Sequence, residues 1–183
     1  MATREIIRMG HPQLREKSSE LSIDEITSKE IQQFIEDLKE TMAAYNGIGI
    51  AAPQVGVNKQ LALIHVPTES ERYPEAPVTE LYVIFNPKIT VLDETTQGFW
   101  EGCLSVPGLI GYVERPRKVK IDYLDTTATM QSIVVEDFHA TVFQHELDHL
   151  FGKLYIDRIT DSTKFSYTEE FNQFHNGEES MEE

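Results

Sequence analysis

The chain has 183 residues, a length that fits one compact domain with a substantial core. Asp and Glu total 31 against 16 Lys and Arg, and the resulting formal charge of −15 argues against a general nucleic-acid or anionic-membrane binder. Its single cysteine, Cys103, excludes an internal disulfide, and a lone free thiol is most easily kept in a reducing compartment.

The first twelve residues hold no apolar run of signal-peptide length, and no later segment approaches a membrane span. A soluble, cytoplasmic protein without DNA or membrane partners is expected. Ile31, Phe34, Ile35, Leu38 and Met42 recur at helical spacing and predict a core helix from Ser28 to Tyr45, stopped by Asn46-Gly47. A glycine-rich block, Gly47 to Gln54, follows. Gln60–Val66 and Leu81–Phe85 read as strands, separated by a Pro- and Glu-rich loop, 67–80, expected to be exposed and mobile. Further strands are expected at Lys88–Leu92, Gly111–Glu114, Val119–Leu124 and Met130–Val135. Strands in the middle with helices before and after predict an α+β fold of short, mostly antiparallel sheets packed around a central helix. One domain is expected over 1–165, followed by an acidic tail, 166–183, partly helical or disordered.

The most informative segment is Gln144-His-Glu-Leu-Asp-His-Leu150. On a helix, His145 and His149 share one face and can reach one cation, with Glu146 close enough to handle a proton. Phe138 and Val142 extend the same stripe, so the helical context is present. A catalytic cation commonly takes three protein ligands and keeps one position for water, which leaves one ligand to find. A metzincin extension places Gly152 correctly but holds Tyr155 where a histidine is required. Glu169, twenty residues beyond His149, suits a thermolysin-like arrangement, although its segment reads more simply as a solvated helix face. Cys103, within Glu101-Gly-Cys-Leu-Ser105, is the third candidate; free cysteines are most often just small buried residues, yet thiolate plus two imidazoles is an established ligand set.

These three blocks, Gly47-Ile-Gly-Ile-Ala-Ala-Pro-Gln54, Glu101-Gly-Cys-Leu-Ser105 and Gln144-His-Glu-Leu-Asp-His-Leu150, together resemble peptide deformylase, in that family's order and across about residues 3–160. Ile50 stands where the family often has leucine. The resemblance implies one divalent ion on Cys103, His145 and His149, water as nucleophile and Glu146 as general acid and base. Gln54 can supply a side-chain amide to an oxyanion; the resemblance adds the Leu104 backbone N–H, with Gly49 lining a cramped formyl position, and Gly47 is a further substrate-binding candidate in the same block. The substrate would be an N-formylmethionyl nascent peptide, and formate a product. From helical spacing and the blocks, Ile48, Phe99, Phe138 and Val142 are candidate walls for the methionine side chain.

Glu101, Arg115 and Asp148 are candidates to orient the ligands from behind, against the simpler readings of an exposed Glu101–Arg115 ion pair and a surface acid at Asp148. The Cys-His-His donors accept zinc, nickel, cobalt or iron, and the resemblance favours Fe(II) in the cell. Some deformylases carry a basic C-terminal helix for ribosome association; this acidic tail supplies no such attraction. His11, His65, His139 and His175 have no ligand-like partner in sequence and are expected to be structural or at the surface. A peptidase using Glu169 and a non-hydrolytic protein with a structural metal are the rival readings.

Overall fold

The computed structural model describes residues 2–66 and 79–175. Its elements run as α1 (Ile23–Ile26), α2 (Lys29–Ala44), β1 (Gly49–Ala51), β2 (Leu61–Ile64), β3 (Tyr82–Cys103), β4 (Val106–Leu124), β5 (Met130–Glu136), α3 (Asp137–His149), β6 (Phe165–Tyr167) and α4 (Thr168–Phe174). Most of the expected exposed loop, at 67–78, and the final residues 176–183 lie outside the described residues.

Helix α2 starts at Ser28, whose hydroxyl caps the Ile31 amide at 3.2 Å. It ends where Asn46 takes a left-handed φ of 52°, so Asn46 rather than Gly47 makes the stop. The expected stripe is buried at Phe34, Ile35, Leu38 and Met42, while Ile31 is half-buried. The helix thereby delivers Gly47 and β1 to the centre of the molecule.

Strands β1 to β5 lie in sequence order in one sheet, with β6 added beside β4, and every strand pairing is antiparallel. Strand β2 is buried at all four positions because both faces of the sheet are covered. Leu61 and Leu63 point to the α2 side with Phe34 and Leu38. Ala62 and Ile64 point to the α3 side with Phe143, Leu147 and Leu150. Each fully buried Leu or Ile of this strand contributes about 1.5–3 kcal/mol of transfer free energy, which anchors the strand pair between the two helices.

The strands expected at Lys88–Leu92, Gly111–Glu114 and Val119–Leu124 are not separate short strands. They are parts of β3 and β4, a hairpin of 22 and 19 residues with register shifts after Phe85, Val91, Asp93 and Glu101. Polar residues Asp93 to Gln97 and the prolines at 107 and 116 obscure that continuity, because alternation of apolar residues signals only the half-buried portions. Backbone pairing continues through the polar portions, and Pro116 itself sits opposite Thr96. Among the described residues no helix is long and apolar enough to cross a membrane.

Candidate metal centre and active site

Ten successive residues of α3, Ala140 to His149, are buried. A helix sunk this deeply must satisfy its polar side chains from its surroundings, and each partner found here bears on the site. The Gln144 amide donates to the Pro116 carbonyl at 2.9 Å and back to Ala140 at 2.9 Å. The Asp148 carboxylate accepts from Arg115 at 2.8 Å and from two Arg158 nitrogens at 3.0 and 2.6 Å. The helix begins at Asp137, a non-glycine residue with a φ of 55°, whose carbonyl accepts from the Gln97 side chain.

Alternation along β3 turns Phe99, Glu101 and Cys103 toward α3. Phe99 meets Phe138 edge to face at 5.6 Å. The Glu101 Oε2 atom lies 2.7 Å from His145 Nδ1, and Cys103 Sγ lies 3.4 Å from His149 Nε2. Sulfur and one nitrogen from each imidazole all fall within 4.8 Å of one another. A tetrahedral centre with bonds of about 2.3 Å to sulfur and about 2.05 Å to nitrogen requires an S···N edge of about 3.6 Å, so the Cys103–His149 separation already suits a shared cation. Cys103, His145 and His149 are the one group of this kind among the described residues, whereas Glu169 is exposed on α4 and stands outside it.

Electrostatics fit the same purpose. Burial alone raises the Cys103 thiol pKa, but His149 and His145 beside it pull it well below the ordinary cysteine value. Burial opposes a charge on His145, yet Cys103 and Glu101 raise its pKa well above the ordinary histidine value. Both shifts favour negative charge on the sulfur beside the imidazoles, the donor character that a soft-to-borderline cation would take. Glu101 is held ionised against burial by His145 and Arg115. Its carboxylate accepts from Arg115 at 2.6 and 3.0 Å and fixes the ring of His145 so that Nε2 faces the sulfur.

Burial overturns the simpler readings of Glu101, Arg115 and Asp148. Glu101 and Arg115 are not an exposed pair, being 4% and 2% accessible, and Asp148 is buried between two arginines rather than displayed on a helix surface. A chain Arg158–Asp148–Arg115–Glu101–His145 runs from the surface to the ligand. Arg158 has no recognisable spacing to the motif, and only the turn after α3, Tyr155–Arg158, carries it back.

Gln54 is 1% accessible. Its Oε1 accepts the Ala51 amide at 2.8 Å, which obliges its NH2 to face the site, 3.5 Å from Cys103 Sγ and 3.3 Å from Ser105 Oγ. Ser105, fully buried, received no role in the sequence; only its place within Glu101–Ser105 hinted at one. Leu104 follows the sulfur at the reversal between β3 and β4, and its side chain comes near Gly47. A Cβ placed on Gly49 would lie 2.4 Å from Glu146 Oε1, so the carboxylate rests directly against that backbone.

One pocket gathers these groups. Gly47, Ile48, Gly49, Gln54, Phe99, Leu104, Phe138 and Val142 all line it together with Cys103, His145 and Glu146, and so do Trp100 and Thr141, which the sequence did not single out. Of the other histidines, His11 caps a short 3-10 turn through Nδ1 and His175 stacks on Trp100 at 6.4 Å. His65 and His139 are half-buried and lie outside the cation group.

An α+β fold with a Cys-His-His cation centre and a buried glutamate lining the adjoining pocket is that of a metal-dependent hydrolase. Residues 3–165 match the polypeptide deformylase family model. A peptide deformylase of Leptospira biflexa is 45% identical over 170 residues, spanning 93% of this chain and 95% of that protein. Peptide deformylase 1 of Bordetella pertussis is 42% identical over 90% of this chain and 92% of its own length. Among solved structures, a Met-Ala-Ser-bound class I type b peptide deformylase from Acinetobacter baumannii superposes with a TM-score of 0.82 at 36% identity, covering 86% of this chain and 99% of that one. A Synechococcus elongatus peptide deformylase in complex with actinonin gives 0.77 at 34% identity, covering 90% and 82%. The chain belongs to the polypeptide deformylase family.

Proposed function

We propose that this site releases formate from N-formylmethionyl ends of nascent polypeptides, with the following division of labour. A divalent cation held by Cys103, His145 and His149 supplies Lewis acidity toward water and the formyl oxygen. Glu146 accepts a proton from the attacking water and delivers it to the departing amine, so the products are formate and a free α-amino group. The Gln54 amide and the Leu104 backbone N–H donate to the negative charge that develops on the formyl oxygen. Gly49 gives the formyl carbon close access to Glu146, and Gly47 keeps Leu104 in place. Ile48, Phe99, Phe138 and Val142 surround the methionine side chain.

One observation carries this reading: the donor atoms of Cys103, His145 and His149 lie within 4.8 Å of one another, and Cys103 and His145 line a pocket together with Glu146 and with an amide whose orientation Ala51 dictates. Fe(II) is the proposed cellular cation; zinc, nickel or cobalt substitutes in preparations exposed to air, where ferrous iron on a thiolate oxidises. Metal analysis after anaerobic purification tests that choice. The catalytic residues fall within 1–165, the proposed catalytic unit, ahead of the acidic stretch 166–183. The proposed place of action is the cytoplasm, on chains emerging from the ribosome, through transient encounter rather than attraction of this acidic tail to RNA.

The test compares formate release from formyl-Met-Ala-Ser with cleavage of an internal bond in the unformylated peptide. Formate release that Glu146→Ala abolishes is expected. Internal cleavage without formate release would instead favour a peptidase, and full deformylation by Glu146→Ala would remove that residue from the mechanism.

A further inference from the structure

One aromatic residue of the site strand, at the rim of the pocket that Phe99, Glu101 and Cys103 line, also packs against the C-terminal helix. Trp100 lies between Phe99 and Glu101 and pairs with Tyr112 across the hairpin. Its ring meets Tyr112 at 5.9 Å, edge to face, and Phe171 of α4 at only 4.5 Å. His175, just past the end of α4, stacks on both Trp100 and Phe171, at 6.4 and 6.2 Å. Tyr112 is itself held from two sides. Its hydroxyl occupies the space over Gly98, where a Cβ would come within 2.1 Å, and the Lys164 ammonium sits 4.4 Å above its ring.

Phe171 is the one buried residue of α4, at 7% accessibility. The helix is therefore attached chiefly by this side chain, together with the short pairing of β6 to residues Leu109–Gly111 of β4. Both Phe171 and His175 lie beyond residue 165, outside the stretch that the family model matches. The strand they pack against presents the Phe99 wall, the Glu101 carboxylate and the Cys103 sulfur to the site, and Trp100 itself lines the same pocket.

We propose that α4 is a positioning element of the active site. Phe171 pins Trp100, and Trp100 holds residues 99–103 of β3 at the height that shapes the peptide pocket. A strand in a packed hairpin moves as a unit over a few residues, so releasing Trp100 displaces Phe99 and the strand edge that faces substrate. The cation donors resist that displacement better, because Cys103 is tied by Gln54 and His149 and Glu101 by Arg115 and His145. Loss of Phe171 consequently weakens substrate binding more than turnover. This inference rests on the formyl-peptide reading of the site.

The experiment uses the full-length, metal-loaded protein and its Phe171→Ala variant with formyl-Met-Ala-Ser. The expected result is a KM raised about 3- to 10-fold with kcat within about 2-fold and metal content unchanged, since displaced binding groups act on association before chemistry. Trp100 is the chain's single tryptophan, so its fluorescence reports the packing directly, and the variant's emission shifts to longer wavelength. Phe171→Tyr, which keeps the ring, restores both KM and emission. Should Phe171→Ala not fold, Phe171→Leu keeps the burial and removes the ring, and the same KM rise and emission shift are expected. An unchanged KM alongside a shifted Trp100 emission overturns the inference while leaving the site intact. Absence of formate release by the unaltered protein overturns the formyl-peptide reading and this inference with it.

Discussion

Gly49→Ala separates the chemistry from the fold. Gly49 has no left-handed φ, so alanine meets no backbone penalty there, and strand geometry by itself favours alanine over glycine by about 0.5–1 kcal/mol. The new methyl would stand 2.4 Å from Glu146 Oε1 and 2.5 Å from its Cδ and Cγ, well inside van der Waals contact. Backbone on both sides is fixed, β1 by its pairing with β2 and α3 by burial along its length. The Glu146 side chain, bearing rotatable bonds, is what yields. Moving it off its preferred rotamer costs about 0.5–1.5 kcal/mol, which the gain at Gly49 largely offsets. Activity has no such compensation. A displacement of about 1 Å in a reacting group can cost about 10²-fold, and loss of general acid–base catalysis about 10²–10⁴-fold. Thermal unfolding, bound-metal analysis and kcat/KM for formyl-Met-Ala-Ser measured together should show a nearly unchanged Tm, one cation per chain and kcat/KM lowered at least about 10²-fold. A Gly49→Ala protein retaining half its activity would refute the placement of Glu146 in the reaction, and a protein that fails to fold would refute the argument that the side chain yields.

Glu101→Gln removes one of the two carboxylates that pair with buried Arg115, leaving Asp148, so stability falls by less than the about 3–5 kcal/mol of a wholly unpaired buried charge and cation affinity by about 10–100-fold as the orienting acceptor of His145 loses its charge; urea unfolding and competition with a chelator measure the two. The Arg4 guanidinium, against the opposing effect of burial and with help from Gln33 and the Ala2 amide, holds the Asp37 carboxyl below the usual aspartate range. Its folded-state pKa is depressed, so its contribution is complete above the unfolded value and disappears as pH falls through the folded one. Tm measured below about pH 4 should therefore decline less steeply in Asp37→Asn than in the unaltered protein. Val142→Ala enlarges the pocket by two methyl groups and should reduce the preference for formyl-Met over a formyl peptide with a smaller first residue by about 10-fold; unaltered discrimination would place the methionine side chain elsewhere.

Helices α2 and α3 and the two histidine ligands were legible because each has a local signature, whereas Cys103 was singled out as the third ligand only by resemblance and α1 was not expected. Ser28 followed by the Phe34–Met42 stripe marks α2, and two histidines at i and i+4 beside a glutamate mark α3. The length of β3 and β4 was not legible, since backbone pairing carries the hairpin through Asp93–Gln97, where no apolar alternation exists. Nor was the depth of Asp148 and Arg115 legible. A charged residue shows its burial only once its partner is brought to it, and Arg158, ten residues past Asp148, arrives by a turn that spacing does not predict. Sequence placed Gln54 in the site through resemblance alone; the Ala51 amide that determines which end of its side chain faces the sulfur is a tertiary fact. Phe171 read as one apolar residue in an acidic stretch, and its attachment to Trp100 spans 71 residues of chain.

The claim on which the account depends is that Cys103 shares one cation with His145 and His149. X-ray absorption at the metal edge of the anaerobically loaded protein tests it directly. One sulfur scatterer at about 2.3 Å with two imidazole nitrogens at about 2.0–2.1 Å is predicted for a zinc-loaded sample, and Cys103→Ala should remove the sulfur shell. A spectrum of the unaltered protein with nitrogen and oxygen scatterers alone would contradict it.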